Sequence, residues 1–145
     1  MLSRRLNIEI SCDSRRLLET DRGLVVEVVF RGRYLLGSEG NPQAYQMKAF
    51  TSEVVSREHP IAVLFNMTDL RYQWGDAIGS IAFPLLNVGT NSFKPACVMA
   101  KGRTARALEW FFTDRAIFGI AGFKLFSDSE QALRFLKNRI ALGTA

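Results

Sequence analysis

Alternation opens this chain. In LNIEIS the apolar residues Leu6, Ile8 and Ile10 fall on every second position, which places them on one face of a strand. The run GLVVEVVFRG, residues 23–32, is denser in β-branched side chains and predicts a second strand, with RYLLG either continuing it or starting a third. The period then changes. In NPQAYQMKAFTSEVVSRE, Tyr45, Met47, Phe50, Val54 and Val55 recur near helical spacing, and Asn41-Pro42 supplies a start with proline in the first turn. IAVLFNM, residues 61–67, is almost continuously apolar, the pattern of a strand buried on both faces in a sheet covered by helices.

GDAIGSIAFPLLNVG predicts a helix from about Gly75, with Ile78, Ile81, Ala82 and Leu85 inward and Pro84 bending or shortening it. KPACVMAKG, residues 94–102, is the next buried strand. RTARALEWFFTDRA is the next helix, with Ala105, Leu108 and Phe112 on one face and Trp110 near its edge. FKLF, residues 123–126, reads as a short edge strand, and SDSEQALRFLKNRIAL as a closing helix packed down by Leu133, Leu136 and Ile140. Ser127 and Glu130 form a capping-box arrangement, each side chain able to satisfy an orphan backbone N–H. The order β-β-(β)-α-β-α-β-α-β-α predicts an α/β fold: a mixed open sheet of four to six strands with about four helices packed on it, its parallel strands joined by right-handed crossovers. No repeat or linker divides the chain, so residues 1–145 read as one domain, with 1–22 an N-terminal strand and turn extension and 23–141 the core.

Composition narrows the class. A chain of 145 residues can bury a core without disulfides or metal, and 48% hydrophobic with 23% charged residues argues against disorder. Cys12 and Cys97 are far apart and Cys97 lies in the apolar ACVMA, so both are expected as free thiols in a reducing, cytoplasmic setting. The opening MLSRRLNIEI lacks an apolar h-region, and no run approaches the roughly 20 residues of a span, so neither export nor membrane insertion is expected. The formal charge of +5 is mostly scattered arginine, with short clusters at Arg4-Arg5, Arg15-Arg16 and residues 31–33. No basic stripe interleaves with aromatics, so no nucleic-acid role is expected.

For catalysis the raw material is thin. His59 is the sole histidine and precedes Pro60 on a loop, which leaves no second histidine for a metal and no evident nucleophile. Glu109 and Asp114 fall on an exposed helix face. No acid/base pair, metal set or cofactor is assigned, and the chain reads as a non-enzyme.

Several segments in this order resemble the STAS superfamily, the domain of bacterial anti-sigma-factor antagonists and of the cytoplasmic tails of sulfate transporters. The resemblance runs over residues 23–140. LVVEVVFRGRYLLGSEGNPQAYQMKAF is similar to the family's strand, turn, strand and first helix, and AVLFNMTDL to the apolar strand ending in a D-L-S-like turn. WGDAIGSIAFPLL resembles the S-G-L-G-like start of the second helix, PACVMAKGRTARALEWFFTDRAI the strand, loop and third helix, and FKLFSDSEQAL the short strand and D-S-E-x-A-L helix start. In the antagonists, a serine at the second helix start is phosphorylated by a partner kinase that is also the anti-sigma factor, and phosphorylation releases the partner. The resemblance places Asp76 at that serine and Asn66 where many members carry an aspartate. A carboxylate cannot accept a phosphoryl group as a hydroxyl does, so the switch is absent here or lies elsewhere, for instance at Ser80 or Thr68.

The resemblance therefore implies a non-catalytic interaction module of bacterial signalling, with a protein partner of the kinase or anti-sigma-factor kind. Its expected surface is Arg71, Tyr72, Trp74, Asp76 and Ser80 with Arg103 beside it: Asp76 supplies charge, Trp74 and Tyr72 apolar anchors, Arg71 and Arg103 orientation. Asp76 has two readings. It complements a helix N-terminus, worth about 0.3–1 kcal/mol, or it stands as a fixed charge in place of phosphoserine, carrying less than a phosphate's roughly −1.5 to −2. Trp74 is either a core plug or an interface anchor. In KGRTAR, the residues Lys101, Gly102, Arg103 and Thr104 are either solvated charge with Thr104 as cap, or a weak anion site at a helix start; the GxxxxGK[ST] phosphate loop is absent. The alternative function is binding of an apolar molecule or anion between sheet and helices, with Phe83, Phe93, Phe111, Phe118 and Phe123 as lining or as plain core. A third is a homodimer, formed through the sheet edge at residues 6–10 or through AIFGIAGF.

Overall fold

In a computed structural model of the chain, residues 9–87, 89, 90, 92–114 and 123–142 are described, those from 110 to 114 by backbone alone. The long apolar runs become the sheet. β1 (Ser11–Thr20) and β2 (Gly23–Arg33) form an antiparallel hairpin, and β2 pairs in parallel with β3 (Ala62–Arg71). β6 (Ala96–Met99) and β7 (Lys124–Phe126) extend the sheet in parallel, giving the order β1-β2-β3-β6-β7. Between β3 and β6 lie a 3₁₀ helix (Asp76–Leu85) and the two-stranded hairpin β4 (Leu86–Asn87) and β5 (Ser92–Phe93). The α-helices are α1 (Asn41–Glu58), α2 (Gly102–Asp114) and α3 (Ser129–Ala141). The expected α/β class is observed: among the described residues, five strands form the main sheet and three α-helices and the longer 3₁₀ helix pack on it.

Strand order follows chain order, so the three crossovers, being of one hand, put α1, the 3₁₀ helix and α2 on the same face. That face carries the larger core, where Val28, Phe30, Phe65 and Val98 meet Met47, Val54, Ile81 and Leu108. α3 covers the other face, with Ala132, Leu136 and Ile140 over Val25, Leu64 and Cys97. Adjacent residues of β2 and β3 thus enter different cores, which is why their sequences run apolar without a break. Each fully buried Val, Leu, Ile or Phe contributes about 1.5–3 kcal/mol.

The structure corrects the sequence reading at several points. The first described strand begins at Ser11, in the polar SCDSRRLLET, where pairing with β2 and not alternation defines it; the strand expected over LNIEIS falls largely outside the described residues, Leu6 and Ile8 included. RYLLG does not continue as strand, since β2 ends at Arg33 and a 3₁₀ turn (Gly37–Gly40) precedes α1. The helix after Gly75 is 3₁₀ and not α, ending just past Pro84, which has no N–H to donate. Tyr45, counted toward the inner face of α1, is exposed. α3 is capped by Asp128, whose Oδ1 accepts from the Glu130 N–H at 2.7 Å, and not by Ser127. Both cysteines are free; burial pushes the Cys97 thiol up to about 12, and burial with nearby Glu9 pushes Cys12 up to about 11. Among the described residues no helix is long and apolar enough to cross a membrane.

Candidate functional site

Three segments meet at the C-terminal edge of the parallel strands: the end of β2, the end of β3, and the turn from β6 into α2. Side chains from the helices tie them down. Gln43 of α1, only 2% exposed, accepts from the Leu35 N–H and donates to the Arg33 carbonyl, both at 2.6 Å. Thr104 of α2 donates its hydroxyl to the Leu70 carbonyl at 2.7 Å and accepts from the Tyr72 N–H at 3.1 Å. The Tyr34 N–H donates to the Arg71 carbonyl at 2.9 Å, and the Tyr72 hydroxyl to the Gly75 carbonyl at 3.0 Å. Backbone that would otherwise be a loose loop is therefore held at each strand end.

Beyond these ties, Trp74 stands out from the surface, 58% exposed. Its indole lies over Gly37, which has a φ of +56°; a Cβ there would come within 2.5 Å of the ring, so both the conformation and the contact require glycine. Leu36 and Phe83, each 45% exposed, and Tyr45 at 58% flank the same turn, α1 and 3₁₀ helix. Lys48 of α1 sits 5.6 Å from the centre of the Phe83 ring. Asp76 is exposed at the first position of the 3₁₀ helix, in a shallow depression of about 550 Å³ shared with Gly37, Ser38, Asn41, Trp74 and Ala77. Beneath, the buried Tyr34 hydroxyl has no hydrogen-bond partner among the described residues. Burial, and then the charges of Asp76 and Tyr45, push that phenol up to about 12, so it is a neutral donor at physiological pH.

The expected site residues separate into three environments. Trp74 and Asp76 lie together at the exposed depression. Arg71, Lys101, Arg103 and Thr104 line a second cavity of about 460 Å³, together with Arg33. Tyr72 is 2% exposed and packs edge-on to Tyr34 at 5.1 Å, so it is a buried pillar and not the surface anchor the sequence suggested. Ser80 is half-buried with its hydroxyl oxygen enclosed, and Thr68 donates its hydroxyl to Asn66 Oδ1 at 2.8 Å. Asn66 in turn donates to Glu27 at 3.1 Å, which keeps it engaged in the sheet. Gly102 starts α2 with a φ of +58°. His59 is exposed and caps α1 in the left-handed conformation.

The phenylalanines do not gather. Phe83 faces solvent while Phe123 packs in the core 6.0 Å from Phe65; Phe93 is half-buried, and the Phe111 side chain and Phe118 lie outside the described residues. Among the described residues no three His, Cys, Asp or Glu side chains converge as a metal set. Sequence reasoning missed Leu36, Tyr45, Gln43 and Arg33. Only the third had a local signal, a polar side chain at a core-facing position of an otherwise regular helix.

No family model matches the chain, and no curated protein matches it. A solved structure does: the crystal structure of an anti-sigma factor antagonist from Mycobacterium paratuberculosis, with a TM-score of 0.55 and 18% identity over 86% of this chain and 95% of that one. At that identity the likeness is one of fold, a mixed sheet with helical cover.

Proposed function

We propose that this chain, with the fold of an anti-sigma factor antagonist, is a non-catalytic protein-interaction module of bacterial, cytoplasmic signalling. Its partner is a regulator of the kinase or anti-sigma-factor kind, engaged through Trp74, Asp76 and the apolar side chains around them. One observation carries the reading. Among the described residues five large apolar side chains stand exposed, and four of them, Leu36, Tyr45, Trp74 and Phe83, come from the turn, helix and 3₁₀ segment around Asp76. Exposed apolar surface gathered in one region marks interaction sites, and Trp and Tyr carry a large share of interface energy.

Asp76 gives this surface a fixed negative charge where the resemblance places a phosphorylatable serine. The enclosed Ser80 hydroxyl and the bonded Thr68 hydroxyl support a surface whose charge is not set by phosphorylation at those two positions. A second copy is the weaker candidate for occupant: the free edge of β1 carries Asp13, Arg15, Arg16 and Glu19 and a register shift between Arg16 and Leu18, features that blunt strand-to-strand pairing.

Affinity capture from the native host, with wild type, Trp74→Ala and Asp76→Lys side by side, tests the reading. The expected result is one partner held by the wild type and lost in both variants at unchanged circular dichroism. Equal capture by all three sinks it.

A further inference from the structure

The cleft beside the Trp74 surface has a different chemistry. Arg33, Arg71, Lys101 and Arg103 line it, and among the described residues no aspartate or glutamate does. Elsewhere the strands and α1 neutralise their arginines: Arg15 pairs with Glu27, Arg16 with Glu58, Arg31 with Asp69, and Arg57 with Glu53 and Glu58. None of the four cleft cations reaches a carboxylate among the described residues. The register sharpens the contrast. On β2 and β3, Arg31 stands across from Asp69, whereas Arg33 stands across from Arg71. A cleft lined by one sign focuses its field on an incoming ion of the other.

We infer that this cleft binds a phosphate-bearing small molecule, its phosphate held among Arg33, Arg71, Lys101 and Arg103. The backbone beneath the cleft is tied in place without a ligand, because Gln43 bonds it on either side of Tyr34 and Thr104 ties the end of β3 to α2. Arginine offers paired N–H donors that match phosphate oxygens, and a doubly charged phosphate offsets more of the four positive charges than a carboxylate does. The first-turn amides of α2 add donors on the same side. A volume of about 460 Å³ exceeds what a bare phosphate fills and falls in the size range of small-molecule pockets, with Leu35, Leu36 and Leu70 to meet the body of an ester. The cleft and the partner surface are neighbours, but neither reading depends on the other.

The test is an amide NMR titration of the full chain with phenyl phosphate and with inorganic phosphate, on wild type, the double variant Arg71→Gln/Arg103→Gln, Arg134→Gln and Trp74→Ala. Arg134 is exposed on α3, on the opposite face of the sheet. Expected are saturable shifts confined to the segments around Arg33, Arg71 and Lys101–Thr104, tighter binding of phenyl phosphate than of phosphate, and at least tenfold weaker binding in the double variant. Arg134→Gln and Trp74→Ala should bind as wild type, the latter separating this site from the partner surface. No saturable shift, or equal weakening by Arg134→Gln, overturns the site. Preference for a phosphoserine peptide over phenyl phosphate by tenfold or more overturns the small-molecule assignment.

Discussion

Two positions apart on the same pair of strands, this protein treats charge in opposite ways. Arg31 faces Asp69 across β2 and β3, and Arg33 faces Arg71. The first arrangement belongs to a polar stretch of sheet not reached by α3, where Glu27, 5% exposed, also takes Arg15 and Asn66 as partners. Arg15 with Glu27 and Arg31 with Asp69 form ion pairs there, so the stretch explains itself as structure. The second arrangement has no such pair within the described residues and sits at the strand ends, where loops and a helix start converge. The four cations there are exposed and of one sign, the arrangement on which the anion site inferred above rests.

Gln43→Ala should do the largest damage to this contrast. It strips partners from the Arg33 carbonyl and the Leu35 N–H at once, so unfolding free energy in denaturant should fall by about 2–4 kcal/mol, with weaker phosphate binding as the rung of Arg33 loosens. A loss below 0.5 kcal/mol would mean water replaces the amide, on the order expected for surface changes. Arg33→Glu converts the second rung into the first kind. It should change stability by no more than about 0.5 kcal/mol, as at an exposed position, while removing phosphate binding, and binding left intact would reverse the argument.

The smallest effect belongs to the paired class. Hydrogen bonds from Arg16 and then Arg57 hold the Glu58 carboxyl below its usual value. A lowered folded-state pKa means stability present above the unfolded carboxylate value, about 4.3, and lost as pH falls through the folded value. Glu58→Gln should therefore lower Tm slightly at pH 7, and its difference from wild type should shrink as pH falls through the folded value. A difference of constant size across that fall would assign the effect to packing.

Much of the framework was legible. Asn41-Pro42 and the helical spacing after it mark a helix whose observed bounds, Asn41–Glu58, coincide with the stretch read from sequence. The apolar runs gave β2, β3 and β6, because a strand inside two cores needs apolar residues at successive positions. β1 went unread because SCDSRRLLET is amphipathic in neither period and is a strand only through its partner. The cap of α3 shifted by one residue because Ser127 and Asp128 can both cap, and local geometry chose Asp128. At the candidate site, Trp74 and Asp76 were identified and do lie together, but Tyr72 and Trp74, two residues apart and both aromatic, went to opposite fates.

By itself, then, the chain's pattern determined its class, the order of its elements and the neighbourhood of its surface chemistry, since these follow from local propensity and from which residues must leave water. Tertiary structure decided which side chains of that neighbourhood are available. It buried Tyr72 and enclosed the Ser80 hydroxyl, spent Thr104 on the end of β3, and brought Arg33, Arg71, Lys101 and Arg103 from three separate segments to one cleft. Exposure and electrostatic pairing depend on groups distant in sequence, and distances through space are set only when the sheet register and the crossovers are in place.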